Sequence, residues 1–387
     1  MSQIDITTLG KSCEFFNGKA HEKSIDENGK YIVVNSKFIS QEGKVIKRTK
    51  EQMFPLFKDD IVMVMSDVPN GKALAKCFII DKDDTYSLNQ RICCIRSKEF
   101  DTKYLYYQLN RHEHFLAFNN GENQTNLRKD DILACPLIKP SMEEQRRMVT
   151  ELDLAFSELS KALSNTERNY QNSKELYLGY LNGVFDNEMF AIKKLNEITE
   201  VKDGTHDSPR YIKDGIPFVT QKNIKPNGLF FDDTKFITQI DHDKFYKRSN
   251  VSYGDILISM IGANRGMAAI VEDRRVFSIK NVGLIKSSNN INMNYLLYYL
   301  KSPAAMKYVL DKSNGGAQEF VGLTALRSFP IPFPTIIEQN EIVKKLDLLS
   351  IEAFKLQKKY EEKIEKLDEL KSGILKRAFE NELIEAE

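Results

Sequence analysis

IIEQNEIVKKLDLLSIEAFKLQKKYEEKIEKLDELKSGILKRAFENEL, residues 336–383, contains no proline and a single glycine. Its apolar residues recur at steps of three and four, which predicts one long helix. One seam runs through Leu346, Ala353, Tyr360, Leu367 and Ile374, and a companion runs through Ile342, Leu349, Leu356, Lys363 and Leu370. A stripe that narrow calls for a partner helix. The same chain supplies one: at an offset of 194, residues 136–188 fall on residues 330–382 without a gap, with 18 identities in 53 positions. The matches include Pro136/Pro330, Pro140/Pro334, Glu144/Glu338, Gln145/Gln339, Leu152/Leu346, Asp153/Asp347, Leu154/Leu348, Leu176/Leu370, Gly179/Gly373 and Phe185/Phe379.

The earlier helix carries the weaker seam. Its positions are Leu152, Leu159, Thr166, Ser173 and Tyr180, with Met148, Ala155, Ala162, Asn169 and Leu176 alongside. The polar middle, Thr166, Asn169 and Ser173, reads either as a register device facing Lys363 or, the preferred reading, as a solvated section. Each helix is entered through a proline-punctuated segment, PLIKPSMEEQ (136–145) or PIPFPTIIEQ (330–339). Proline fixes an extended approach and cannot continue a central strand. Ser141 and Thr335 then stand as N-caps, with Glu144 and Glu338 at the capping-box position. Two helices of about 45 residues would each span about 65 Å, and a rigid antiparallel pair would act as a ruler.

Duplication extends beyond the helices. At an offset of 186, Leu9, Gly18, Gly29 and Val33 fall on Leu195, Gly204, Gly215 and Val219. With one residue gapped near the histidine, NGKAHEKSIDENGKYIVVNSKFI aligns with DGTHDSPRYIKDGIPFVTQKNI. DDIVMVMSDVPNGKALA from Asp59 matches GDILISMIGANRGMAAI from Gly254, each a strand, a glycine-containing turn and a second apolar run. A strand (89–95 or 280–285), a short helix (KYLYYQL or NYLLYYL) and a loop (NGENQ or NGGAQ) complete both copies. The expected fold is α+β: two β-rich domains separated by two long antiparallel helices that form an intramolecular coiled coil, as a pseudo-two-fold internal repeat. The segments are 1–135, 136–187, 188–329 and 330–387. Matched ends around a diverged middle are what two ligand specificities on one scaffold leave behind.

Totals narrow the function. Charged residues make up 29% of the 387 and hydrophobic residues 41%, a soluble globular composition. No apolar run reaches membrane length and the N-terminus lacks a basic-then-apolar leader, so neither a span nor secretion is expected. Five cysteines without CxxC spacing read as reduced, buried thiols of a cytoplasmic protein. Net charge is only +1, yet residues 188–329 hold 20 basic against 15 acidic groups. A protein that alone neutralised a long DNA track would be more basic, so if DNA is the ligand, other subunits would supply most of the phosphate grip.

Catalytic constellations are missing. No GxxxxGK[ST] loop, no strand followed by GxGxxG and no Asn-Pro-Pro-aromatic sequence occurs. His112 and His114 lack complementary metal ligands. Glu361-x-Lys363 resembles a nuclease pair but lies on the heptad helix without the upstream Asp. What remains is polar side chains on the loops of two related domains. In the first copy these are His21, Asn35, Lys37, Asn70, Lys72 and Gln124; in the second, His206, Lys222, Asn223, Asn264, Arg265 and Gln318. Asn264 and Arg265 have donor geometry for adenine and guanine edges respectively, and the glycines flanking them permit close backbone approach. On the helices, Leu152, Leu159, Leu176, Leu346, Leu349, Leu356, Tyr360, Leu367 and Leu370 are the expected coiled-coil contacts.

With the doubled NGKAH/DGTH opening, the doubled Pro-x-x-x-Pro-x-x-x-Glu-Gln entry and helices ending in Phe-Asp/Glu-Asn-Glu, the chain resembles the specificity subunits of type I restriction-modification systems over essentially its whole length. Ala20 and an inserted residue depart from the pattern in the first opening. The resemblance implies a non-catalytic protein whose two domains each recognise half of a split duplex-DNA target. It also implies two modification subunits that bind S-adenosylmethionine, and restriction subunits that use ATP and Mg; this chain itself would hold no cofactor and no metal. The rival from another class is a coiled-coil interaction protein whose two domains bind protein or glycan ligands.

Overall fold

The computed structural model describes residues 5–69, 71–186, 188–314 and 319–386, with the backbone alone at 314 and 380–386. Two compact units emerge, Met1–Asn165 with Lys363–Glu387, and Thr166–Glu362. Each combines one β-rich domain with a segment of both long helices. Among the described residues no helix is long and apolar enough to cross a membrane.

In the first unit a four-stranded antiparallel sheet runs Glu14–Asn17, Ile92–Arg96, Ile61–Val64, Cys77–Ile79. Beside it lies a three-stranded sheet of Arg48–Thr49, Tyr31–Val34 and Tyr86–Leu88, the last two parallel. The second unit repeats this strand for strand. Its four-stranded sheet is Val201–Asp203, Val282–Ile285, Ile256–Ser259, Ala268–Ile270. Its three-stranded sheet is Lys235–Ile237, Ile216–Val219, Ser278–Ile279, again with a parallel final pair. The central strands of both sheets are apolar at nearly every position because both faces are covered. One buried ion pair recurs at matched strand ends: Asp60 with Arg96 at 2.8 Å, and Asp255 with Lys286 at 2.6 Å.

The proline entries, read from sequence as approaches to the helices, are themselves strands. Pro136–Lys139 pairs antiparallel with Asp5–Thr8, and Pro330–Pro332 with Ile192–Lys194. Each β-rich domain is thus clasped shut where its chain enters and leaves. The capping boxes form as expected: Ser141 N–H and Thr335 N–H donate to Glu144 Oε2 and Glu338 Oε2 at 3.0 and 2.8 Å. The neighbouring glutamines do what the sequence reading missed. Gln145 and Gln339, both buried, accept from the N–H of Asp101 and Asn292 and donate to the Pro140 and Pro334 carbonyls. Each therefore ties a long helix to the cap of a short one.

The long helices are Met142–Phe185 and Ile336–Ala386. Within each unit their segments pack antiparallel. In the first unit the Lys371 ammonium lies over the Phe156 ring, and Phe379 meets Tyr104 edge-on beside Met148. In the second, Tyr170 donates to Glu361 at 2.6 Å, while Leu181 and Phe185 share a core with Val343 and Leu346. Leu152 and Leu346 are buried, and Leu159, Leu349, Tyr360 and Leu367 are partly buried. Leu356 is 41% exposed and Leu176 and Leu370 are 74% and 50% exposed; Leu176 and Leu356 line a groove between the two helices together with Tyr177 and Leu349. A strict seven-residue seam drifts about 20° per heptad on a straight helix, and Tyr177, Leu181, Gln357 and Ile364 are correspondingly less exposed than Leu176, Leu356 and Leu370. Thr166 and Ser173 are buried, so the expected solvated middle is corrected to a polar part of the interface; only Asn169 faces water. Lys363, in the companion seam, is exposed.

Candidate nucleic-acid interface

In both domains the loops that leave the sheets at one end are brought together by strand pairing. In the second domain, Gly204 N–H donates to Val282 O and Lys280 N–H to Val219 O, which sets residues 204–208, 220–223 and 279–282 side by side. Ser259 donates to Gln221 Oε1 at 3.3 Å, and Gly262 N–H donates to Glu319 O, joining residues 260–266 to the same end. The first domain assembles residues 17–21, 34–37, 65–69, 71–75, 88–91 and 124–127 through Gly18 N–H to Ile92 O, Asn89 N–H to Val34 O and Met65 N–H to Arg91 O. Glycine is required at 18 and 204: a Cβ there would drive into the carbonyl oxygens of Asn89 and Ile279.

The candidates separate sharply once placed. His21 is 1% exposed: Nε2 meets Ser87 Oγ at 2.8 Å and Nδ1 meets the Lys19 carbonyl at 2.7 Å. It has no face left for a base, and its expected recognition role is corrected to a structural one. The matching serine of the second domain, Ser278, bonds instead to His242 Nδ1 at 2.8 Å, from the helix Gln239–Ser249. His206 is thereby released to the surface, where its side chain is 61% exposed. The two opening histidines, aligned in sequence, are not equivalent in space.

Asn223 is likewise buried: its Nδ2 donates to Phe230 O and Thr234 Oγ1, and its Oδ1 accepts from Thr220 N–H. Asn35 is spent as a helix cap, accepting from Phe38 N–H at 2.9 Å. Arg265 is only 15% exposed; it pairs with Glu319, donates to Ser313 Oγ at 2.9 Å and to Gly262 O at 3.1 Å. Its guanidinium braces the turn instead of standing free for a guanine edge. Asn70 and Gln318 lie outside the described residues. Lys37, Lys72, Lys222 and Asn264 are exposed on the loop end, and Gln124 is exposed while donating to Ser66 Oγ at 2.9 Å.

Sequence reasoning missed Lys19, Arg91, Gln221, Lys280 and Asn281, all on these loops. Residues 89–91 and 280–281, expected from sequence to be strand, form the turns entering it, with Arg91 and Asn281 at φ +65° and +53°. An arginine or asparagine at a strand start, in both copies, was the available signal. Among the described residues no group of three or more His, Cys, Asp or Glu is arranged to hold a metal ion. Burial pushes the Cys93 and Cys135 thiols up to about 12, so neither is a nucleophile near neutral pH.

A family profile described as "Type I restriction modification DNA specificity domain" matches residues 1–167 and again residues 187–366. The chain belongs to that family. Two specificity domains in tandem account for the strand-for-strand repeat, and recognition of a DNA target is their work. The chain is 24% identical over 328 residues to the EcoBI specificity subunit of Escherichia coli, covering 76% of this chain and 69% of that one. It is 20% identical over 390 residues to the MjaVIII specificity subunit of Methanocaldococcus jannaschii, covering 94% and 89%. Among solved structures, the fold is shared with a chain from a study of complex assembly and conformational transition of a type I R-M system, at TM-score 0.77 and 17% identity, with 98% of each chain covered. The HsdS subunit from Thermoanaerobacter tengcongensis superposes at TM-score 0.58 and 17% identity, covering 98% of this chain and 97% of that one.

Proposed function

We propose that each specificity domain reads one half of a bipartite duplex target and that the chain itself catalyses nothing, serving as the recognition subunit for modification subunits and restriction subunits. The observation that carries the reading is one loop end built twice on one scaffold and furnished with unlike side chains: Lys37, Lys72 and Arg91 in the first domain, His206, Lys222 and Asn264 in the second. Like scaffolds fix orientation on the duplex, and unlike side chains specify different bases. S-adenosylmethionine, ATP and Mg are assigned to the partner subunits.

Exposed leucines support two equivalent docking points for modification subunits. Leu154 and Leu348 are identical across the repeat and 67% and 68% exposed; Leu176 and Leu370 are a second such pair. Neither pair is required by the packing within its unit. Ile337, Ile351 and Phe354 extend the exposed apolar stripe around Leu348, all within about a third of a helical turn.

Selection from a random duplex pool, with the full chain and its modification subunits, is expected to enrich one sequence with two specified halves around an unspecified spacer. Enrichment of no sequence would overturn the reading and favour a protein or glycan ligand.

A further inference from the structure

Asp203 ends the first strand of the second domain's four-stranded sheet and its side chain is 9% exposed. Two cationic or potentially cationic side chains converge on it. Arg248, near the end of the helix Gln239–Ser249, donates from Nε and Nη2 at 2.7–3.0 Å. His206 places Nε2 at 3.1 Å from Asp203 Oδ2 and Nδ1 at 2.8 Å from Asn281 Oδ1. Asp203 is thus fully occupied, while its partners are not. The Nη1 group of Arg248 and the amide nitrogen of Asn281 have no partner among the described residues, and the Arg248 side chain is 50% exposed. Alongside, Lys244 is neutralised by Asp207 at 2.9 Å, and Lys280 donates to Ser208 at 2.6 Å.

We propose that Asp203, Arg248, His206 and Asn281 form a DNA-phosphate contact of the second domain, in which Asp203 is the positioning residue and the Arg248 Nη1 edge and the Asn281 amide are the donors to the phosphodiester. This rests on the reading of the second domain as a DNA-recognition module. An arginine held by a buried carboxylate keeps its remaining N–H groups aimed without the entropy cost of ordering a free side chain, and phosphate accepts from such a fork. Burying that carboxylate leaves a fixed guanidinium at the end of the domain that carries the larger positive excess. Among its described residues the first domain has no counterpart. Asn17 stands where Asp203 stands, the matched histidine His21 is turned inward onto Ser87, and no helix corresponds to Gln239–Ser249. The contact therefore belongs to one half of the target and makes the two half-sites unequal in their response to salt.

The test uses the full chain with its modification subunits, and measures affinity against salt concentration on a random-sequence duplex and on a duplex carrying the selected target. Arg248→Gln is expected to weaken both by the same factor and to flatten the slope of log affinity on log salt by about one unit, the signature of one lost phosphate contact. Arg248→Lys keeps the charge and is expected to restore most of the slope. Asn17→Ala, at the matched position of the first domain, is expected to leave it unchanged. Equal melting temperatures for Arg248→Gln and Arg248→Lys separate lost contact from lost folding. An unchanged slope for Arg248→Gln, or relaxed base preference at one position with the slope intact, would overturn the phosphate assignment while leaving DNA recognition standing. Failure of the unaltered chain to bind either duplex would overturn both.

Discussion

A histidine two or three residues after a glycine opens each domain, and its fate is decided by one serine. Ser87 and Ser278 occupy matched positions on the parallel strand pair, and each needs a partner because it is buried. In the first domain the inserted residue lets His21 reach back to Ser87; in the second, the helix Gln239–Ser249 delivers His242 to Ser278 and His206 stays outside. Ser87→Ala should leave a buried imidazole nitrogen unpaired and cost about 1–3 kcal/mol, read as a lower urea midpoint with the base preference of the first half-site intact. Altered preference at undiminished stability would return His21 to the interface. Arg265 teaches the same lesson. Its sequence context, GANRG, has the chemistry of a base reader, yet Glu319 and Ser313 claim its donors from fifty residues away. No pattern local to the turn contains that fact.

The long helices were legible as elements and only half legible as surfaces. Capping boxes and the buried Leu152 and Leu346 follow from local pattern, because caps and heptads act over three to seven residues. Identity across the repeat, however, marks two kinds of position. Asp153 and Asp347 are matched because each accepts from a tyrosine of the adjoining short helix, Tyr107 at 2.6 Å and Tyr298 at 2.7 Å. Leu154 and Leu348 are matched while facing water. Leu154→Ser and Leu348→Ser should each shift stability by less than about 0.5 kcal/mol, yet each should remove one modification subunit, seen as a stepwise fall in the mass of the purified complex. Full-mass complexes from the double variant would assign docking to another surface.

At the scale of the whole chain, the duplication carries the functional reading, and the helices carry its geometry. Four residues inserted after Leu163 lengthen the central helix by about 6 Å, roughly one turn. The expected outcome, read by mapping methylated adenines, is a changed spacer with both half-sites retained; loss of a half-site's own bases would count against the helices as a ruler. The repeat, the helices, their caps and the family were all readable in the sequence, because they are recorded as spacing: period, offset and order survive without coordinates. What only the tertiary structure decided is which polar side chains are free. Hydrogen-bond partners such as Ser87 for His21, Glu319 for Arg265 and Asp203 for Arg248 come from segments far along the chain. A donor already satisfied inside the fold has nothing left to offer DNA, and satisfaction is a property of three-dimensional neighbours.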